Sequence, residues 1–448
     1  MSETRSQMLV KCGMDPILNT LGSTWTALGF MFAYWWLWAP IILIFVYAEA
    51  LKEYNKKVYK AGLKWITYEL KIPIDAHKSL KAMEQIFAGF HVVGQSSPAK
   101  NLWEKYKKWR DAFFKGKVPD WLALEMVGSG GEIHFYIRAI EKYKSLVEAQ
   151  VYAQYPESEL TPVADYMSRF PAALSYGEVN VNALELVFIK EDIFPIKTYP
   201  EFEEEGAGKD DVRRIDPLAP IAETLGALGL SEFFGIQILA RSTGDAWVKK
   251  GQPAVDKLMG REEKKKTNFA DSVFAGIEGG ARSVAGAIYE PAEPKDKKEE
   301  KKKEDKPFNQ LNPGIQEIVK TIEKGTAKLA FEAGIRMVYI APLDKYDDGR
   351  MRSVAGAFKQ FATQALNGFK PGISTDITKG FNKAVRALKN KKKIYKRYRE
   401  RAFPDKPLVL NTEELTTIFH VPDVGVKTPS LPRIETKKGE APAGIPTV

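Results

Sequence analysis

Between Pro16 and Ala48 the chain carries no charged side chain, and the centre of that run, WTALGFMFAYWWLWAPIILIFVYA, joins 24 apolar or weakly polar residues. As a helix rising about 1.5 Å per residue it would extend roughly 36 Å, enough to cross a hydrocarbon layer of about 30 Å. The pattern predicts one transmembrane helix over 21–50, after a short N-terminus over 1–20, with Trp25, Trp35, Trp36 and Trp38 as aromatic anchors and Pro40 as a kink. A secretory signal would need a shorter apolar centre and a small-residue cleavage site, which AEALKEYNKK does not offer.

Beyond the span the periodicity changes. In LKWITYELKIPI the positions Trp65, Thr67 and Glu69 alternate with Ile66, Tyr68 and Leu70, the two-residue period of a strand. SLKAMEQIFAGF then places Leu80, Met83, Ile86 and Phe87 on one helical face. WLALEMV turns through GSGG into EIHFYIRA, where Ile133, Phe135 and Ile137 alternate with His134, Tyr136 and Arg138, which predicts a hairpin. KYKSLVEAQVYAQY supplies a second helix. Strand, helix, hairpin, helix is the split βαβ, ferredoxin-like order, expected over 60–175.

The order is repeated downstream, over 180–370. LELVFIKEDIFPIKTY reads as a strand, DPLAPIAETLGALG as a helix capped by Asp216 with Pro217 at its first position, FFGIQILARS and AGIRMVYIAP as strands, and RMRSVAGAFKQFATQAL as a helix. An insertion over 245–325 separates the two central strands of this second copy. It contains two mixed-charge linkers, 261–269 and 290–307, with almost nothing to bury. The expected class is therefore α+β: a single transmembrane helix followed by a duplicated ferredoxin-like module with a long charged insertion. A basic segment over 371–405 follows, then a short helix and a Pro-rich extended tail over 406–448.

Charge adds orientation. The chain has 67 Lys and Arg against 57 Asp and Glu, a net +10, which favours anionic partners. Arg5 and Lys11 precede the span, whereas Lys52, Lys56, Lys57, Lys60 and Lys64 follow it, so the inner membrane is expected with the N-terminus outside and the large body in the cytoplasm. The single cysteine, Cys12, cannot form an internal disulfide.

Motifs of known chemistry are missing. No phosphate loop occurs: in EEEGAGKDD the pair Gly208-Lys209 is followed by Asp210, whose carboxylate would repel phosphate. There is no G-x-S-x-G elbow and no H-E-x-x-H helix, and His77, His91, His134 and His420 lack metal-site spacing. His134 and Arg138 share the polar face of one strand, expected as solvated sheet surface. Neither intrinsic catalysis nor a cofactor or metal is expected.

Two basic stretches stand out. RALKNKKKIYKRYRER, 386–401, has nine Lys or Arg against one Glu. Its Lys389, Lys391, Lys392, Lys393, Lys396, Arg397, Arg399 and Arg401 are candidates for contact with nucleic acid or anionic lipid, with a solvated helix as the competing reading. LWEKYKKWRDAFFKGK, 102–117, is also basic, and its Trp103, Trp109 and Phe113 are candidates for a membrane-surface contact.

Several segments taken in order resemble an uncharacterised bacterial membrane-protein family of unknown function from candidate-phylum lineages: WLALEMVGSGGEIHFYIRAIEKYKSLVEAQVYAQYPESEL, FIKEDIFPIKTYPEF, DPLAPIAETLGALG, QILARS, ALNGFKP and LNTEELTTIFHVP with the tail after it. The likeness covers most of residues 60 to 446. It is also similar to the non-ATPase, membrane-proximal part of type IV secretion and conjugation ATPases of the coupling-protein and HerA kind. In those relatives a segment like LNTEELTTIFHVP precedes the nucleotide-binding domain; here APAGIP departs from the run that follows it. The resemblance implies a membrane scaffold docking a DNA-translocating ATPase supplied by another chain, with Glu413, Glu414 and His420 as candidate docking residues. A self-assembling, homo-oligomeric envelope component is the alternative, and a membrane-tethered nucleic-acid-binding protein the second.

Overall fold

The computed structural model describes residues 33–72, 79–95, 99–172, 179–206, 216–244, 247–259, 312–377 and 381–422. Trp25, the charged linkers 261–269 and 290–307 and the tail beyond 422 lie outside them. The chain divides into two units, Met1–Leu63 with Ser97–Val118, and Lys64–Ser96 with Pro119–Val448.

The first unit holds helices α1 (Trp35–Ala61) and α3 (Leu102–Phe114). The helix predicted to end at residue 50 continues to Ala61 as one element of 27 residues, with Pro40 inside it. The Lys-bearing stretch after the apolar run favours the helix as well, so charge ends the apolar run without ending the helix.

The second unit is built on one antiparallel sheet. Its strands are β1 (Trp65–Lys71), β2 (Leu122–Ser129), β3 (Glu132–Ile140), β4 (Glu159–Val163), β5 (Val179–Phe188), β6 (Phe233–Ser242), β7 (Ala330–Pro342), β8 (Phe369–Ser374) and β9 (Leu408–Asn411). Its helices are α2 (Lys81–Phe90), α4 (Lys144–Gln154), α5 (Tyr199–Gly206), α6 (Ala219–Gly226), α7 (Val248–Leu258), α8 (Pro313–Thr326), α9 (Asp348–Ala357), α10 (Lys383–Arg399) and α11 (Thr412–Ile418). The strands lie in the order β4-β1-β3-β2-β6-β7-β5-β8, with β9 on β7. β2 and β6 meet in the middle from Leu122 opposite Ala240 to Ser129 opposite Phe233. The two stretches expected as separate modules therefore share one continuous sheet.

The hairpin β2–β3 turns through Gly130 and Gly131, both at positive φ (62° and 88°), a conformation that a side chain would strain. The alternation read in β1 and β3 is the alternation of sheet faces. Tyr68, Leu70, Phe135 and Ile137 join the main core, together with α2, α4, α6, α9 and α11 on one face of the sheet. On the other face Val127, Val181, Ala183, Phe233, Val338 and Ile340 pack against Ile394, Tyr395 and Tyr398 of α10.

Several expectations need correction. The closing strands β4, β8 and β9 were not foreseen, and β8 straddles the expected boundary at 370/371, so the basic segment begins inside the sheet. These strands are four to six residues long, too short for alternation to stand out. α6 begins at Ala219 rather than beside Asp216, whose Oδ1 accepts a hydrogen bond from Leu218 N at 2.7 Å and so closes a turn ahead of the helix. The ends of the insertion are folded: Val255 of α7 and Val319 and Ile322 of α8 share a small core with Trp247 and Val409.

Candidate functional site

In the first unit α1 has no buried residue. Trp35, Trp36 and the run from Ile41 to Tyr47 all stand exposed, as does Trp38. Past the apolar run, Asn55 Nδ2 donates to Phe113 O at 3.0 Å and ties the end of α3 to α1. Gly116, at φ 62°, closes this junction: a Cβ there would fall 2.2 Å from the Asn55 carbonyl, so only glycine lets the backbones approach so closely. Along α3 the rings form a ladder, Trp103–Tyr106 at 5.6 Å, Tyr106–Trp109 at 6.0 Å and Trp109–Phe113 at 5.5 Å. Trp103 is 70% exposed and Trp109 55%, whereas Phe113 is half-buried.

α10 lies on the sheet through Ile394, Tyr395 and Tyr398, all buried. Gly235 makes room for it, since a Cβ there would fall 1.9 Å from the Tyr398 hydroxyl, which bonds to Tyr166 Oη at 2.8 Å. On the sheet face that carries the helix a row of polar residues runs across the strands in register: Glu69 opposite Tyr136, Tyr136 opposite Glu125, Glu125 opposite Gln237, Gln237 opposite Arg336 and Arg336 opposite Glu185. Gln237 Nε2 donates to Glu125 Oε1 at 2.7 Å and to Tyr398 O at 3.1 Å. Arg336 Nε donates to Glu185 Oε1 at 2.7 Å. Just past the C-terminal end of α10, Arg401 pairs with Glu125 (Nε to Oε1, 2.9 Å) and Asp165 (Nη1 to Oδ2, 2.7 Å), and Arg138 Nη1 reaches the same Asp165 oxygen at 2.5 Å. Burial would raise the Asp165 carboxyl, but the two guanidinium groups hold it below its ordinary value.

The segment LNTEELTTIFHVP occupies the interior of the helical face. Asn411 caps α11 through a reciprocal box, its side chain accepting from Glu414 N at 2.9 Å while Glu414 Oε2 accepts from Asn411 N at 2.8 Å. Glu414 Oε1 also accepts from Ile196 N at 2.9 Å. Glu413 takes Thr198 Oγ1 at 2.5 Å and Lys324 Nζ at 3.3 Å, and it pairs with Lys328, which also meets Glu84 at 2.6 Å. His420 Nδ1 lies 2.8 Å from Thr416 O and its Nε2 3.0 Å from Asp216 Oδ1. Every residue of α11 is buried.

The model of a domain of unknown function, DUF8128, matches residues 94–433. The chain belongs to the DUF8128 family. Comparison with curated proteins gives no match.

The DUF8128 region thus spans α3, most of the sheet, α10 and α11, and it is over these elements that the predicted site residues divide. Glu413, Glu414 and His420, expected at a docking surface, are 5%, 2% and 1% exposed, which corrects that expectation: their polar groups are engaged inside the fold. The basic stripe is corrected in part. Arg397 pairs with Glu185 and Asp405, Arg399 Nη1 donates to the carbonyl oxygens of Met167, Phe170 and Pro171, and Arg401 is buried. Lys391 is half-buried, donating to Asn180 Oδ1 at 2.7 Å, and burial lowers its pKa. Lys389, Lys392, Lys393 and Lys396 are exposed on α10, Lys396 with Glu400 at 3.8 Å. His134 and Arg138, expected as solvated surface, are 20% and 16% exposed, with Glu69 Oε1 2.6 Å from His134 Nδ1. Sequence reading missed the Glu69–Glu185 row; its visible signal is a polar or charged residue inside each mostly apolar strand, charged on four of the six.

Burial raises the Glu414 carboxyl to about 8, against the two backbone N–H groups that favour its ionised form. Because the folded pKa lies above the unfolded one, this group favours the fold at acidic pH and ceases to do so as pH rises from about 4.5 to about 8. Glu414→Gln is therefore expected to flatten the pH dependence of stability across that window, by up to about 1.4 kcal/mol per pH unit. Parallel urea titrations of both proteins at several pH values check this; equal slopes would exclude it.

Proposed function

We propose that this DUF8128 protein is a single-pass membrane scaffold whose folded body serves as a cytoplasmic platform for a partner. The observation that carries the reading is the first unit: a helix long and apolar enough to cross a bilayer, with no buried residue, joined to a second helix with an exposed aromatic row. Such a surface left in water costs roughly 25 cal/mol per Å² of apolar area, and a bilayer removes that cost. Lys105, Lys107 and Lys108 of α3 are exposed as well, a composition suited to the headgroup layer of an anionic leaflet. The Asn55–Phe113 bond lies beyond the apolar run of α1, where the headgroup layer would be. Lys52, Lys56, Lys57 and Lys60 follow the same run, which favours a cytoplasmic body.

The platform is read as a duplicated ferredoxin-like module. Numbered within each half, the strands lie 4-1-3-2 and then 2-3-1-4, meeting edge to edge at β2 and β6, and this order supports the duplication. A DNA-translocating ATPase of the secretion or conjugation kind, on a separate chain, is the proposed partner. That choice rests on the ordered resemblance of the sequence segments. Since LNTEELTTIFHVP is buried, such a partner would meet other parts of the body.

Alkaline carbonate extraction of membranes expressing the full chain tests the anchor: the protein is expected in the pellet, and a variant with Trp103→Ser and Trp109→Ser is expected to stay there while losing affinity of α3 for anionic vesicles. Release of the unaltered chain into the supernatant would remove the membrane reading. Crosslinking in native membranes tests the partner, and recovery of no nucleotide-hydrolysing protein would remove that part alone.

A further inference from the structure

The polar row across the sheet treats its two ends differently. Outward from the β2–β6 junction, Glu69 on β1 stands where Glu185 stands on β5, and Tyr136 where Arg336 stands. Glu185 is met by two guanidinium groups, Arg336 Nε at 2.7 Å and Arg397 Nη1 at 3.3 Å, the second delivered by α10. Glu69 has neither. In place of the arginine-bearing helix lies a cleft of about 370 Å³, with Glu69, Glu132 and His134 on its floor and rim and Tyr136, Tyr166 and Phe170 among its walls.

The cleft is ordered. Tyr166 stacks on Tyr136 at 5.2 Å, and Phe170 meets Phe233 edge-on at 4.8 Å. The His134 ring lies nearly parallel to Tyr136 at 5.9 Å, with Glu69 Oε1 2.6 Å from Nδ1 and Glu132 Oε2 3.6 Å from Nε2. One flat nitrogenous ring therefore already sits between two carboxylates and on an aromatic face. The second oxygen of Glu69 has Lys71 Nζ at 3.7 Å, beyond hydrogen-bond length. Arg169, exposed, is the cation of the lining, and with Lys71 it balances the two carboxylates, so geometry rather than net charge distinguishes the cleft.

We propose that this cleft is a binding site for the guanidinium group of an arginine side chain presented by a partner polypeptide. The planar fork would bond the second oxygen of Glu69, in place of the distant Lys71, and Glu132 while its face rests on the aromatic wall, a combination an ammonium cannot reproduce. The molecule supplies its own precedents: the Arg401 guanidinium lies 5.0 Å from the Tyr166 ring centroid while pairing with Glu125 and Asp165, and Arg397 performs the corresponding task at Glu185. The site does not depend on membrane attachment, so its failure and that of the scaffold reading are separable.

The test uses the full chain in detergent with ¹³C-labelled histidine, titrated with N-acetyl-arginine amide and followed by NMR. A saturable shift of the His134 imidazole signal is expected, with those of His91 and His420 unmoved. N-acetyl-lysine amide is expected to bind roughly tenfold more weakly, and Glu69→Gln to weaken arginine binding by about tenfold. Glu132→Gln, at an exposed position, is expected to weaken it by about threefold and serves if the first variant does not fold. No saturable shift, equal affinity for the lysine probe, preference for N-acetyl-glutamate, or unchanged binding in Glu132→Gln would each overturn the assignment.

Discussion

Replacing Arg401 by methionine is expected to lower the unfolding free energy of the full chain in detergent by about 3–5 kcal/mol, read from urea melts followed by circular dichroism. Arg401 is 2% exposed, and Glu125 opposite it is fully buried. Burial alone would disfavour the guanidinium charge, but Glu125 and Asp165 reverse this and raise its pKa. Methionine fills much of the same volume and leaves Glu125 with the hydrogen bond from Gln237 Nε2 but without its cation. Most of the cost is then the orphaned carboxylate rather than the lost pair. The double variant Arg401→Met, Glu125→Leu separates the two, because removing both charges is expected to recover a large part of the loss. Lys393→Gln, on the exposed side of α10, is expected to stay within about 0.5 kcal/mol. Should the single variant melt like the unaltered protein, the charge network contributes nothing. The network also holds Arg401 at φ 48°, a left-handed conformation that side chains other than glycine avoid.

Phe419→Ala is expected to cost a further, separate amount of about 3–5 kcal/mol. Its ring is fully buried, 6.3 Å from Phe87 of α2 and 5.9 Å from Phe135 of β3. Leu415 and Ile418 beside it are as deeply buried, so α11 joins α2 to the sheet from inside. A cavity at this position would loosen the C-terminal segment before the rest of the fold. Limited proteolysis is therefore expected to cut the variant near residue 411 at denaturant concentrations where the unaltered protein resists. Equal melting midpoints and equal cleavage would show that α11 is an appendage.

The central hairpin was legible because its two strands are neighbours in sequence, and Ile133, Phe135 and Ile137 alternate with polar residues under the constraint of one sheet face. α2 was legible for the same local reason, with Met83, Ile86 and Phe87 at helical spacing. The basic stripe was legible as composition only. Which of its cations face solvent depends on where Ile394, Tyr395 and Tyr398 meet the sheet, and apart from Asp405 the carboxylates that pair with Arg397 and Arg401 come from β5, β2 and the segment after β4. LNTEELTTIFHVP reads as a surface helix, since seven residues with two Glu and three Thr offer little to bury. Its Asn411–Glu414 box and Thr hydroxyl bonds are local, but Ile196, Thr198, Lys328 and Asp216, all distant in the chain, satisfy the rest, and only folding shows that burial is compensated.

The sequence by itself determined the apolar helix, the α+β class, most of the strands and the clustering of positive charge, because each depends on spacing within a dozen or so neighbouring residues. The tertiary structure alone decided that two strand sets share one sheet, that Glu69, Glu125, Arg336 and Glu185 form one row, and that the conspicuous C-terminal motif lies inside. Register between strands far apart in the chain is set by the packing of whole faces, and a charge is free or engaged according to partners that only folding brings within reach.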